Sequence, residues 1–218
     1  MQERRRREVV KESAPSGTPV QVPDLYWEEL SQRELIKLCE VANATPHGQR
    51  SLIVPFLNQD LLIDIQKKCV MRMGSTGPVE VQDPLLTLIC LVYLLKVSRD
   101  DIFNELVTVK DLKESHFFRG PHAIDVVPLI KRFGHDMPAF QKAAESIGGV
   151  RTNMADGAYR INTFPKVPVY YLIWLGDDEF DPRVSILFDR SIERHLSADA
   201  IWGLVKLVSA ALLERKNG

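Results

Sequence analysis

The stretch VPVYYLIWLGDDEFDPRVSILFD, residues 167–189, decides how this chain is read. Its first part, 168–174, is crowded with aromatic and β-branched side chains and bounded by Pro and Gly, which fits a buried strand better than a helix. Gly, Asp and Pro in 176–182 supply turn chemistry, and a second apolar run at 184–188 ends on Asp189. The result is a β-loop-β unit with a charged tip, its first strand central in the sheet and Trp174 buried. A short strand at 158–161 leads through 162–165 into it, so 158–188 reads as an antiparallel three-stranded meander.

Working outward, 189–195 reads as a polar connection. Ser197 then caps a last helix, with Asp199 in its first turn and Ile201, Leu204, Val205, Val208 and Leu212 as its apolar stripe. Arg215 and Lys216 suit the carboxyl end of that helix. Before the meander, Asp125 caps a helix over 126–133 ended by Gly134, and Asp136 caps one over 137–147, with His135 exposed in the turn between them. Asp83-Pro84 opens a helix over 85–97 that is apolar on every face. Such a helix is buried among other elements, and about 13 residues fall short of the ~20 that span a bilayer. A further short helix is expected within 98–112. Upstream lies an amphipathic helix over 26–44, stopped by 45–48. A hairpin of 51–56 and 61–65 follows, with Pro55 at an edge or bulge and 69–71 extending the sheet. The expected fold is α+β, with about six helices on one or two small antiparallel sheets, a C-terminal three-stranded meander and a terminal helix.

The 218 residues are 45% apolar and 26% charged, enough for one globular domain over 24–218. Residues 1–23, with Arg4 to Arg7 followed by Ser, Pro and Gly, have the composition of a mobile tail and lack the apolar run of a secretory signal. The net charge of -1 gives no global reason for a nucleic-acid or membrane partner, and neither is expected. Cys39, Cys69 and Cys90 form no C-x-x-C pair, so no iron-sulfur cluster is expected in this chain. Each reads as a small buried apolar residue in a reducing cytoplasm. No G-x-S-x-G, phosphate loop, H-E-x-x-H or dinucleotide fingerprint occurs, so familiar enzyme mechanisms have no sequence anchor here.

Two stretches carry unusual chemistry. His116 to His122, HFFRGPH, sets two aromatics, an arginine and two histidines around a Gly-Pro turn. One reading is an anion or cofactor clamp, with Arg119 as fixed cation and a histidine as ligand or acid/base. The other is a structural loop whose Phe residues anchor in the core. Asp177, Asp178, Glu179 and Asp181 crowd four carboxylates into five positions. A metal, pairing with Arg183, Arg190 or Arg119, or plain solvation would relieve their repulsion. In an extended segment Asp177 and Glu179 share a face, which makes them the candidate metal pair.

WLGDDEF at 174–180, LFD at 187–189 and FFRGPH at 117–122 together resemble one bacterial and archaeal family, domain of unknown function 3786. The resemblance spans roughly 30–208. The family has no assigned activity, and some relatives are fused to an iron-sulfur domain of the corrinoid-protein type. The resemblance therefore implies anaerobic redox, corrinoid or tetrapyrrole metabolism. The family pattern has an acidic residue where Leu175 stands and Pro where Asp181 stands, so one carboxylate has moved within the loop. Two function classes follow. The first is a cytoplasmic ligand-binding or accessory protein for a corrinoid or heme, with Phe118, Arg119, His122 and Trp174 lining its pocket and an iron-sulfur or corrinoid protein as partner. The second is a metal-dependent enzyme in which Asp177 and Glu179 hold a cation beside His122 or His195.

Overall fold

The computed structural model describes residues 20–214. The Arg4 to Arg7 tail, Arg215 and Lys216 lie outside the described residues. In chain order the elements are α1 (Asp24–Ser31), α2 (Leu35–Ala42), β1 (Thr45–Pro46), β2 (Ser51–Phe56), β3 (Gln59–Asp64), β4 (Cys69–Gly74), β5 (Gly77–Glu80) and α3 (Pro84–Lys96). Then come β6 (Leu106–Val107), α4 (Val127–Phe133), α5 (Met137–Ser146), β7 (Val150–Thr152), β8 (Gly157–Phe164), β9 (Val167–Trp174), β10 (Arg183–Asp189) and α6 (Ala198–Leu213). Two antiparallel five-stranded sheets form, β1-β2-β3-β4-β5 and β6-β10-β9-β8-β7. The fold is α+β, and β9 is the middle strand of the second sheet.

Local signals placed three of the six helix starts, while Ser197, expected to cap the last helix, makes no side-chain cap bond. Asp83 accepts the Leu85 amide at 2.9 Å, Asp125 the Val127 amide at 3.0 Å and Asp136 the Ala139 amide at 3.0 Å. Where the helix was expected over 26–44, two helices form. Gln32 and Arg33 close α1 with short-range bonds to Glu29 and Leu30, and the Arg33 guanidinium reaches across to the Leu95 carbonyl. The break lets α1 lie on α3 while α2 turns toward β2. Asn43 ends α2 in the left-handed conformation, so Thr45 and Pro46 start a strand instead of a stop.

No α-helix forms over 98–112. The carbonyls of Ser98, Arg99 and Asp100 converge on Lys166 Nζ at 3.1, 3.3 and 3.3 Å, and the Asp189 carboxylate accepts the Phe103 and Glu105 amides. These backbone groups are satisfied by two distant side chains, so a strap with an edge strand replaces the helix.

Within the second sheet, side chains alternate. Tyr159, Ile161, Val169, Tyr171, Ile173, Val184, Ile186 and Phe188 face the core. Tyr171 sends its hydroxyl to the Val205 carbonyl of α6 at 3.3 Å. At Gly203, α6 crosses α3 so closely that a Cβ would stand 3.0 Å from Ile89 Cδ1. The alternation corrects one expectation: Trp174 belongs to the outer parity with Tyr170 and Leu172, so it is half-buried, and Arg183 lies 4.1 Å over its ring.

Phe164 joins the two sheets to α3. Its ring meets Phe56 at 5.0 Å and stacks on Tyr93 at 4.4 Å, and Tyr93 in turn donates to the Ala42 carbonyl at 2.8 Å. Phe164→Ala should lower unfolding free energy by ~3–5 kcal/mol in urea denaturation, as large-to-small core changes do, and Trp174→Ala by clearly less.

Candidate functional site

The FFRGPH sequence folds as two single-turn 3-10 segments, Ser115–Phe117 and Gly120–His122, with Gly120 at a φ of 54° between them. The turn stacks His122 on Phe117 at 4.4 Å and points its edge at Trp202 of α6, 5.3 Å away. One turn along α6, the Lys206 ammonium sits 4.4 Å from the Trp202 ring centre. Trp202 is the shared wall of two cavities. One, of about 220 Å³, lies between α3 and α6 and is lined by Leu85, Leu88, Val92, Phe117 and His122. The other, of about 390 Å³, follows α6 past Ile124, Val205, Lys206 and Ser209. Together they make an aromatic, largely apolar groove with one imidazole, one ammonium and two carboxylates, Asp199 and Asp125, on its walls.

Of the candidate cofactor residues, His122 lines this groove. Phe118 is buried beneath the loop and faces a separate cavity of about 90 Å³ with Lys96, Leu112 and Ile201. Arg119 is exposed on the loop, and Trp174 stands in the second sheet, outside both groove cavities. Trp202 escaped the sequence reading because it falls off the apolar stripe of its helix. A tryptophan on the polar side of an amphipathic helix, four residues before a lysine, was the signal.

The acidic loop is anchored at its base and open at its tip. Gly176 donates to the Gly134 carbonyl at 3.0 Å, and a Cβ there would fall 2.5 Å from Pro182 Cδ and 2.6 Å from His135 Cε1. Asp177 does not extend beside Glu179. Its carboxylate accepts the Glu179 and Phe180 amides at 2.9 and 2.8 Å, which holds its pKa below the usual range and curls the loop. Of the arginines considered for pairing, Arg183 covers Trp174 and Arg190 pairs with Glu105 at 2.7 Å. Among the described residues no group of three or more His, Cys, Asp or Glu side chains is arranged to hold a metal ion.

A family model for Domain of unknown function (DUF3786) matches residues 34–211, well over half of the chain. The chain belongs to the DUF3786 family. No curated protein and no solved structure matches it. In this DUF3786 domain the three motifs occupy separate places: FFRGPH at the α6 groove, WLGDDEF at the end of β9, and the Asp189 of LFD in a buried polar seam.

That seam holds the strongest unused chemistry. Asp189, Ser191 and His195 are each 0% exposed and Lys166 is 6% exposed, although 189–195 was expected to be a polar connection. Asp189 accepts the Phe103 and Ser191 amides at 2.9 Å and the Glu105 amide at 3.2 Å, so the turn folds inward to place its donors. Burial opposes the charge on Asp189, but hydrogen bonding from Ser191 and the strap amides outweighs it and leaves the pKa lowered. His195 Nδ1 accepts the Ser98 amide at 3.4 Å, so the neutral ring carries its proton on Nε2, which is buried without a partner. These residues match the types of a Ser-His-Asp triad, but the Ser98 amide occupies the imidazole nitrogen that would face an aspartate, and none of them reaches solvent.

Burial, and then the nearby Lys166, push the His195 pKa down from 6.5 to about 4, against the carboxylates Asp100, Asp189 and Asp101. Between those values the unfolded chain takes up a proton that the folded chain refuses. The contribution of neutral His195 is therefore full above pH 6.5 and fades as pH falls toward 4, on the order of 3 kcal/mol in all. Denaturant unfolding from pH 7 to 4.5 should show this slope. His195→Asn, whose oxygen can accept the same Ser98 amide, should flatten it.

Proposed function

We propose that this DUF3786 domain is a ligand-binding or accessory protein and that the Trp202 groove takes a flat, largely apolar molecule of the tetrapyrrole or corrinoid class. The observation that carries the reading is the Trp202 indole, shared by two adjoining cavities with His122 at its edge and Lys206 on its face. A planar macrocycle stacks on an indole, its central metal suits an imidazole, and carboxylate or amide arms suit an ammonium or the exposed Arg119. The redox-linked setting implied by the family resemblance agrees with such a ligand.

Titration with heme and with cobalamin tests the proposal. Binding should shift the visible band of at least one compound and quench tryptophan fluorescence. Trp202→Ala should weaken affinity about tenfold, or ~1.4 kcal/mol. His122→Ala should remove the band shift while leaving part of the quenching. An unchanged spectrum with both compounds overturns the assignment.

A further inference from the structure

The outer face of the second sheet is unlike its core face. Tyr170, Leu172, Trp174 and Leu187 lie on it, with Arg160 opposite Tyr170 and Arg183 opposite Trp174 in the strand register. Buried Leu172 and Ala158 on this side are not part of the continuous core. Neither arginine has an acidic partner among the described residues. A half-exposed apolar face that carries two arginines without carboxylate partners suits an acidic surface.

The chain itself carries that acidic surface. At the end of β9 the loop 177–181 presents Asp178, Glu179 and Asp181 to solvent around Phe180, whose side chain is the most exposed large apolar one, 69% accessible among the described residues. Close packing of Gly176 against His135 and Pro182 fixes the base from which this tip projects. We propose that a second copy of this chain docks here, the acidic Phe180 tip of each copy seated on the outer sheet face of the other. The pairing is reciprocal, with carboxylates meeting Arg160 and Arg183 and the Phe180 ring covering the half-exposed Tyr170 and Leu187. The same carboxylates at the strand ends repel phosphate, which argues against a nucleic acid as the occupant of this aromatic and arginine-bearing face.

The test is the mass of the intact protein in solution, by light scattering after size-exclusion chromatography, at low and high salt. A dimer is expected that loosens as salt rises. Arg160→Glu with Arg183→Glu, and separately Asp178→Lys with Glu179→Lys, should each raise the dimer dissociation constant at least tenfold. Mixed together, the two variants should form a heterodimer, because both contacts are then again between opposite charges. Restored pairing also shows that both variants are folded, and Arg183→Glu alone serves should Arg160 prove needed for folding. A monomer at every concentration and salt, a dimer indifferent to both variants, or failure of the mixture to pair overturns the proposal.

Discussion

Asp189 is a carboxylate with no exposure to water, and such a group is tolerated only if hydrogen-bond donors replace its hydration. Three backbone amides from two segments do so, and two of them belong to the strap 98–105. Lys166 performs the complementary task from the β8–β9 turn, using its ammonium to gather three carbonyls of the same strap. One side chain takes donors and the other acceptors, so a segment without secondary structure of its own is pinned along the sheet edge. The strap in turn orients His195, whose Nδ1 accepts the Ser98 amide. Removing either charge leaves its own backbone partners unsatisfied, a loss larger than that of any single surface ion pair.

What the sequence made legible was local. Aspartates one to three residues before an apolar run cap helices wherever they occur, and Asp83, Asp125 and Asp136 did so here. Alternating apolar residues made the meander and its central strand readable. The strap was not readable, because its partners lie 66 to 86 positions away and no periodicity records them. The two helices read as one failed for a related reason: the break at Gln32 and Arg33 is fixed by how α1 and α2 pack, while the residues themselves are good helix formers.

Trp174 and Trp202 show the same limit at the candidate sites. Composition singled out Trp174 because it ends the most strand-like run, yet period-2 alternation puts it on the outer face. Trp202 sits in a run that reads as a routine apolar helix. Only the approach of the FFRGPH turn, which brings Phe117 and His122 against that one face of α6, makes it the centre of a groove. The histidine was identifiable from its loop, but its aromatic neighbour, 80 positions on, was not.

Both tryptophans share a further physical feature. Each indole is half-buried, and each has a cation over its ring, Arg183 at 4.1 Å from Trp174 and Lys206 at 4.4 Å from Trp202. A cation on an exposed aromatic face contributes about 0.5–1 kcal/mol and shields that face from indiscriminate apolar contact. An occupant of either surface must therefore offer more than an apolar plane: it has to draw the cation aside, which an anionic group does and a neutral hydrocarbon does not. The ligand and the partner proposed for the groove and the sheet face share one combination, an aromatic or planar body joined to negative charge. In the groove that combination describes a macrocycle with acidic arms, and on the sheet it describes Phe180 among its carboxylates.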